Sequence, residues 1–257
     1  MMLAIDCGNT RIKWAHFDAG RRCGEGSAEL KGDVDPYAVL ADALVEVNSV
    51  GQVGQVGQVC VANVAGAEVA ERVATTVTSV LGVAAEFIAV SPKAHGIECG
   101  YRDPDTLGVD RWLAMIAARR VVDGPFAVIC AGTAVTFDAV DAAGRHLGGL
   151  ILPSDRLMIE SMAKNTDQIP LVEPAGHAVS GLELLGRSTE EAVGHGTRLA
   201  LAAAVDRAIA TVVASLATDL SLLITGGDGR ALAEWLASEA TVRADLVLDG
   251  LYAVAVD

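Results

Sequence analysis

A chain of 257 residues, 52% of them hydrophobic, has material for one large domain or two modest ones sharing a cleft. Its 33 acidic residues against 19 basic ones leave a formal charge of −14 without any Lys/Arg cluster, which excludes a binder of duplex nucleic acid that works by displacing counterions. Five scattered cysteines without a C-x-x-C pair exclude a disulfide framework and a thiolate zinc site, and the absence of a charge-free run of about 18 apolar residues predicts no membrane span.

The opening segment has no basic region before its apolar stretch, and Asp6 interrupts that stretch, so it reads as a first strand rather than a signal peptide. A cytoplasmic protein with reduced thiols is expected. Strand 2–5 is followed at once by Asp6-Cys7-Gly8-Asn9-Thr10, and the alternation over 11–17 predicts a second strand paired through a hairpin. Helix 36–47 carries Val39, Leu40, Leu44 and Val47 on one face. Three Gly-Gln-Val triplets in 51–59 read as a variable connection into strand 59–64. A helix over 68–81 and a strand over 85–90 continue a β-α-β rhythm, and a helix over 108–121 follows.

From about Gly124 the opening logic repeats: an apolar strand, a tight turn of small residues at 130–134, then a second strand running to Asp138. A helix-rich region, a long Ala-rich helix over 189–216 and a strand over 220–225 ending in Gly226-Gly227-Asp228-Gly229 complete the chain. The predicted organisation is two α/β lobes, 1–120 and 121–257.

Asp6-x-Gly8-Asn9-Thr10-x-x-Lys13 is the strongest local signal. A carboxylate just after a strand can hold hydrated magnesium, and Gly8 lets backbone approach phosphate oxygens. Asn9 and Thr10 can donate to those oxygens, and Lys13 on the return strand can reach a terminal phosphate. A plain hairpin would also use Asn and Gly as turn residues. The second turn, Gly132-Thr133-Ala134-Val135-Thr136-x-Asp138, and the Gly226-Gly227 strand end sharpen the reading. Two phosphate hairpins facing each other, with glycines approaching a flat ligand such as adenine, are the layout of the acetate kinase, sugar kinase, chaperone and actin class. The expected fold is therefore α/β, a duplicated two-lobed actin-like ATPase with an ATP cleft between lobes. No Gly-x-x-x-x-Gly-Lys-Ser/Thr P-loop, no Gly-x-Ser-x-Gly elbow and no His-x-x-x-His spacing occurs.

These segments, with Tyr101-x-x-Pro104-x-x-Leu107-Gly108-x-Asp110-Arg111, Gly148-Gly149-x-Ile151-x-Pro153 and Ser188-Thr189, resemble the type III pantothenate kinases across essentially the whole chain. Gly108-Val109-Asp110-Arg111 is the most specific block. The resemblance implies ATP-dependent phosphorylation of pantothenate, with ATP and Mg2+ bound by Asp6, Gly8, Asn9, Thr10 and Lys13. Thr133, Gly226 and Gly227 would add nucleotide contacts. Tyr101, Gly108, Val109, Asp110, Arg111 and Thr189 would hold pantothenate, with Asp110 as general base and Arg111 suited to the substrate carboxylate. Alone, Asp110 would read as a helix N-terminal acid, Tyr101 as a packing residue and Thr189 as an N-cap. The family is typically a homodimer.

Two departures stand out. The second turn usually opens with an Asp that ligates a monovalent cation, K+ or NH4+, and here that position is Cys130, a poor ligand for a hard cation. Activity without potassium is expected. Ser154 follows Pro153 where Gly is common, which bears on local loop geometry. Bvg accessory factors share these motifs, so a nucleotide-binding regulatory protein with little turnover is the alternative, and a kinase of another small acceptor is a third reading. Retained Asp6, Lys13, Asp110 and Arg111 favour catalysis.

Overall fold

The computed structural model describes residues 1–49 and 56–257 and divides into two compact units, Met1–Ala117 with Leu246–Asp257, and Ala118–Asp245. The first unit begins with β1 (Met2–Cys7), β2 (Arg11–Asp18) and β3 (Arg21–Glu29). It continues through α1 (Pro36–Ser49), β4 (Gln58–Asn63), α2 (Ala67–Leu81), β5 (Ala85–Phe87), the small hairpin β6 (Lys93–Ala94) and β7 (Ile97–Glu98), and α3 (Val109–Arg119). The repeated triplets fall largely outside the described residues; the chain resumes at buried Val56 and enters β4 at Gln58.

Strand order in the first sheet is β3-β2-β1-β4-β5, with β1, β2 and β3 antiparallel and β1, β4 and β5 parallel. The two-residue side-chain period divides β1 between two faces. Leu3, Ile5 and Cys7 point into a core with Ile12, Trp14, Val59 and Val61, closed by Leu40 and Leu44 of α1 and Val73 and Val77 of α2. Ala4, Ala15 and Ala62 lie on the opposite face with Asp6 and Lys13, in register across the ladder. That face is covered by the terminal helix, described below.

The second unit repeats the plan. β8 (Phe126–Ala131), β9 (Ala134–Val140) and β10 (His146–Pro153) form the antiparallel part. There follow α4 (Asp155–Asn165), α5 (Thr189–Leu216), β11 (Ser221–Thr225), α6 (Gly229–Ala233) and β12 (Thr241–Val242). The sheet order β10-β9-β8-β11-β12, with β8, β11 and β12 parallel, is the first sheet's order shifted along the chain. By length and composition α5 could cross a bilayer, yet its Leu201, Ala202, Val205 and Ile209 enter the core of this unit with Ile129, Phe137 and Ile224.

The sequence places all of 121–257 in the second lobe, and here the structure differs. The last helix, α7 (Leu246–Val256), returns to the first unit. Its Tyr252 ring stacks on Phe17 at 4.6 Å, Asp249 pairs with Arg22 at 2.6 Å, and His95 meets Asp257 at 2.6 Å. A Cβ at Gly250 would run into the Leu113 carbonyl, so α7 crosses α3 backbone against backbone. Alanines at positions 4, 15 and 62 leave the shallow surface that such an apolar helix fills, a match invisible in sequence order.

Candidate active site

The first turn is built as its residues suggest. Gly8 N–H donates to the Arg11 carbonyl at 3.1 Å and closes the hairpin, while Asn9 and Thr10 stand exposed at its tip. Asp6 and Lys13 are direct partners on the antiparallel ladder, which sets their Cβ atoms about 5 Å apart on one face. Carboxylate and ammonium thus share one side of the sheet, both half-buried. A Cβ at Gly8 would meet only the Arg11 carbonyl, at 3.4 Å, an ordinary contact. The fold does not require glycine there, so the missing side chain leaves room for something else.

The Tyr101–Arg111 segment forms a second cluster in the same unit. Asp103 caps a short 3-10 turn over Pro104–Thr106, and Gly108 carries the chain into α3. Asp110 sits in the first turn, where its Oδ1 accepts from the Arg111 N–H at 2.8 Å. The Arg111 guanidinium is buried, donates to the Tyr101 hydroxyl at 2.8 Å, and lies 5.4 Å from that ring's centroid. Tyr101, Asp110 and Arg111 therefore come together. Val109 is buried, so only its backbone can serve a ligand. A Cβ on Gly108 would fall 2.5 Å from Asp110 Oδ1, so this glycine is the floor on which the carboxylate rests. Because α3 packs on α7, and α7 on the face bearing Asp6 and Lys13, Asp110 belongs to the same side of the first sheet.

In the second unit, Gly132 N–H donates to the Ala134 carbonyl at 3.1 Å and closes the repeated turn, leaving Thr133 exposed. Gly132 is like Gly8: a Cβ there would meet only a backbone carbonyl, that of Ala134, at an ordinary 3.8 Å. Gly226 is the opposite case. Its φ is +97°, and a Cβ would collide with the Ala131 carbonyl, to which Asp228 N–H also donates at 3.3 Å. The glycine strand end is thus pressed against the backbone that leads into the second turn. Gly227 is exposed and unobstructed. Asp138, the last residue of the repeated motif, is sealed inside and accepts from His146 Nε2 at 2.9 Å, so it braces β9 against β10.

Cys130 faces Thr136 on β9 and Thr225 on β11 in register. The soft thiol is a poor ligand for a hard monovalent cation that takes oxygen donors, so the residue at this position does not fit one. Thr189 is not the cap of α5: Ser188 is, its Oγ accepting from Glu191 N–H at 3.2 Å. Glu191 in turn accepts from Arg187 N–H at 2.7 Å, a capping box displaced by one residue. Thr189 is left exposed on the first turn, at the rim of an apolar groove between α4 and α5.

One contact has no counterpart in the sequence reading. Ser154, read as a loop substitution, is the N-cap of α4 and also donates to the Thr133 carbonyl. Its signal was available, because a Ser before Asp155 and an apolar run is an N-cap signature.

With these elements in place the chain can be set beside known proteins. The type III pantothenate kinase family model matches residues 2–211. The chain is 34% identical to the type III pantothenate kinase of Halorhodospira halophila over 98% of its own length and 96% of that protein. It is 36% identical to the enzyme of that name from Azoarcus sp. over 99% and 90% of the two chains.

The chain belongs to the type III pantothenate kinase family. Its fold is the duplicated α/β actin-like ATPase fold. A structure described as a 2-dehydro-3-deoxygalactonokinase from Sinorhizobium meliloti superposes with a TM-score of 0.57 at 17% identity, over 99% and 98% of the two chains. The family match over residues 2–211 takes in both the Tyr101–Asp110–Arg111 cluster and the two glycine-bearing turns.

Proposed function

We propose that this chain is a pantothenate kinase: it transfers the γ-phosphoryl group of ATP to the primary hydroxyl of pantothenate, giving ADP and 4'-phosphopantothenate for coenzyme A biosynthesis. The observation that carries the reading is Asp110, seated over Gly108 at the start of α3 and grouped with buried Arg111 and Tyr101.

Phosphoryl transfer asks the protein mainly to position groups and offset charge. In this reading Lys13 meets the terminal phosphate, and the Gly8–Thr10 and Gly132–Thr133 turns offer backbone and hydroxyl donors where no side chain intrudes. Gly226 and Gly227 approach the base or ribose. Magnesium usually takes one or two carboxylates together with phosphates and water, and Asp6 is the carboxylate that would hold it. Bound there, the ion would offset phosphate charge. Asp110 accepts the proton of the attacking hydroxyl at a carboxylate oxygen. Tyr101, the backbone of Gly108 and Val109, and Thr189 hold pantothenate. Arg111, buried and bonded to the Tyr101 hydroxyl, fixes Tyr101 and offers its guanidinium to the pantothenate carboxylate.

Potassium or ammonium is not required, because Cys130 supplies no hard ligand. Rates in potassium and in tetramethylammonium buffers should agree within about twofold; a strong potassium requirement would overturn this assignment. The protein acts in the cytoplasm as a homodimer, the state that the resemblance to the family implies. The accessory-protein reading is not favoured, since the matching family model and the similar full-length relatives are type III pantothenate kinases.

The test of the whole reading is ADP formation with purified protein, ATP and magnesium. It should depend on added pantothenate and yield a product heavier by one phosphoryl group. Nucleotide binding with no phosphorylated product would instead mark a regulatory protein.

A further inference from the structure

Ser154 occupies the junction between β10 and α4, and its hydroxyl makes two bonds of opposite sense. As acceptor, Oγ takes the Leu157 N–H at 3.2 Å and caps α4. As donor, it reaches the Thr133 carbonyl at 2.9 Å. A carbonyl cannot donate, so the proton must point at Thr133, and the two bonds use the hydroxyl without conflict. The register explains the contact: Pro153, the last residue of β10, pairs with Ala134, so the residue that follows it lies alongside Thr133. Ser154 is 3% exposed, so the donor end of the bond is shielded from water while Thr133 itself stands exposed.

The consequence concerns the turn. The peptide joining Thr133 to Ala134 is planar and trans. Holding its carbonyl toward Ser154 aims the Ala134 N–H the opposite way, into the turn closed by Gly132 and Ala134. A glycine at 154 could cap α4 almost as well but has no proton to give. The next residue anchors the same junction, since Asp155 forms a buried pair with Arg198 of α5 at 2.5 Å.

We propose that Ser154 is a positioning residue for nucleotide: its hydroxyl locks the second phosphate turn to α4 and orients the Thr133–Ala134 peptide toward the ATP phosphates. This rests on the reading above that the Thr133 turn contacts ATP.

The test uses the full-length protein and three measurements: calorimetric titration with magnesium and the non-hydrolysable analogue AMPPNP, KM values for both substrates, and hydrogen exchange across residues 131–136. Ser154→Gly should weaken AMPPNP about three- to tenfold, the effect of one lost hydrogen bond. It should raise KM for ATP to match, leave KM for pantothenate within about twofold, and speed exchange at 131–136 while the melting temperature stays near wild type. Ser154→Thr, which keeps the hydroxyl, should restore affinity. Should the Thr variant not fold, exchange and affinity in Ser154→Gly decide alone. Wild-type affinity or exchange in Ser154→Gly, equal loss in a folded Ser154→Thr, or a parallel rise in both KM values overturns the proposal. No AMPPNP binding by the wild type would overturn the reading beneath it as well.

Discussion

Two glycines of the candidate site fail differently when given a methyl group. At Gly108 the obstacle is the Asp110 carboxylate, which can swing aside. Gly108→Ala should therefore fold, losing about 1 kcal/mol at the helix start, while kcat falls about 10- to 100-fold because the base is displaced. At Gly226 the obstacle is backbone and φ is positive. Gly226→Ala should cost about 2–4 kcal/mol. Urea unfolding and steady-state kinetics on both variants check the contrast, and a stability loss at 108 equal to that at 226 would contradict it. Sequence gave these positions only as motif glycines. It could not separate Gly226, which the fold needs, from Gly8 and Gly132, which it does not, because that depends on what lies opposite each missing Cβ. The thiols illustrate the same limit: burial pushes Cys7 to about 12 and Cys60 to about 11, which nothing local in the sequence marks.

At the scale of elements, strongly patterned segments were legible and weakly patterned ones were not. The helix over 189–216 stands where its Ala-rich composition put it, and the hairpin of β1 and β2 where its alternation did. β3 was missed because Arg21–Glu29 carries little apolar content, with Gly24 and Gly26 making room for the His16 and Trp14 rings. β10 was missed because its glycines masked a strand that binds β9 along seven pairs. The turn between β9 and β10 gives a pH signature. Burial alone would raise the Asp141 carboxyl, but the Arg145 amide and guanidinium and the Ala143 amide outweigh it and hold it below its ordinary 3.8. A lowered folded value stabilises above pH 3.8, and that gain fades as pH falls through the folded value. Asp141→Asn should thus be less stable than wild type by about 1–3 kcal/mol at pH 7. The gap should narrow in melts at pH 3, and an unchanged gap would count against the ion pair.

At the scale of the whole molecule, the duplication was legible because each copy announces itself with strand, small-residue turn and strand. The sheet orders, equivalent strand for strand, make the repeat complete. The return of α7 to the first unit was hidden, since nothing local in Leu246–Val256 says which sheet its apolar surface will cover. That return bears on the proposed site: α7 is the layer between the Asp6–Lys13 face and α3, so Asp110 lies on the side of the sheet that carries Asp6 and Lys13. The most direct measurement is pantothenate-dependent ADP release by Asp110→Asn beside the wild type, with binding of AMPPNP and pantothenate measured on both. Binding should persist while the rate falls about 100- to 10,000-fold. A variant that turns over pantothenate at the wild-type rate would contradict the assignment of Asp110 and the site built around it.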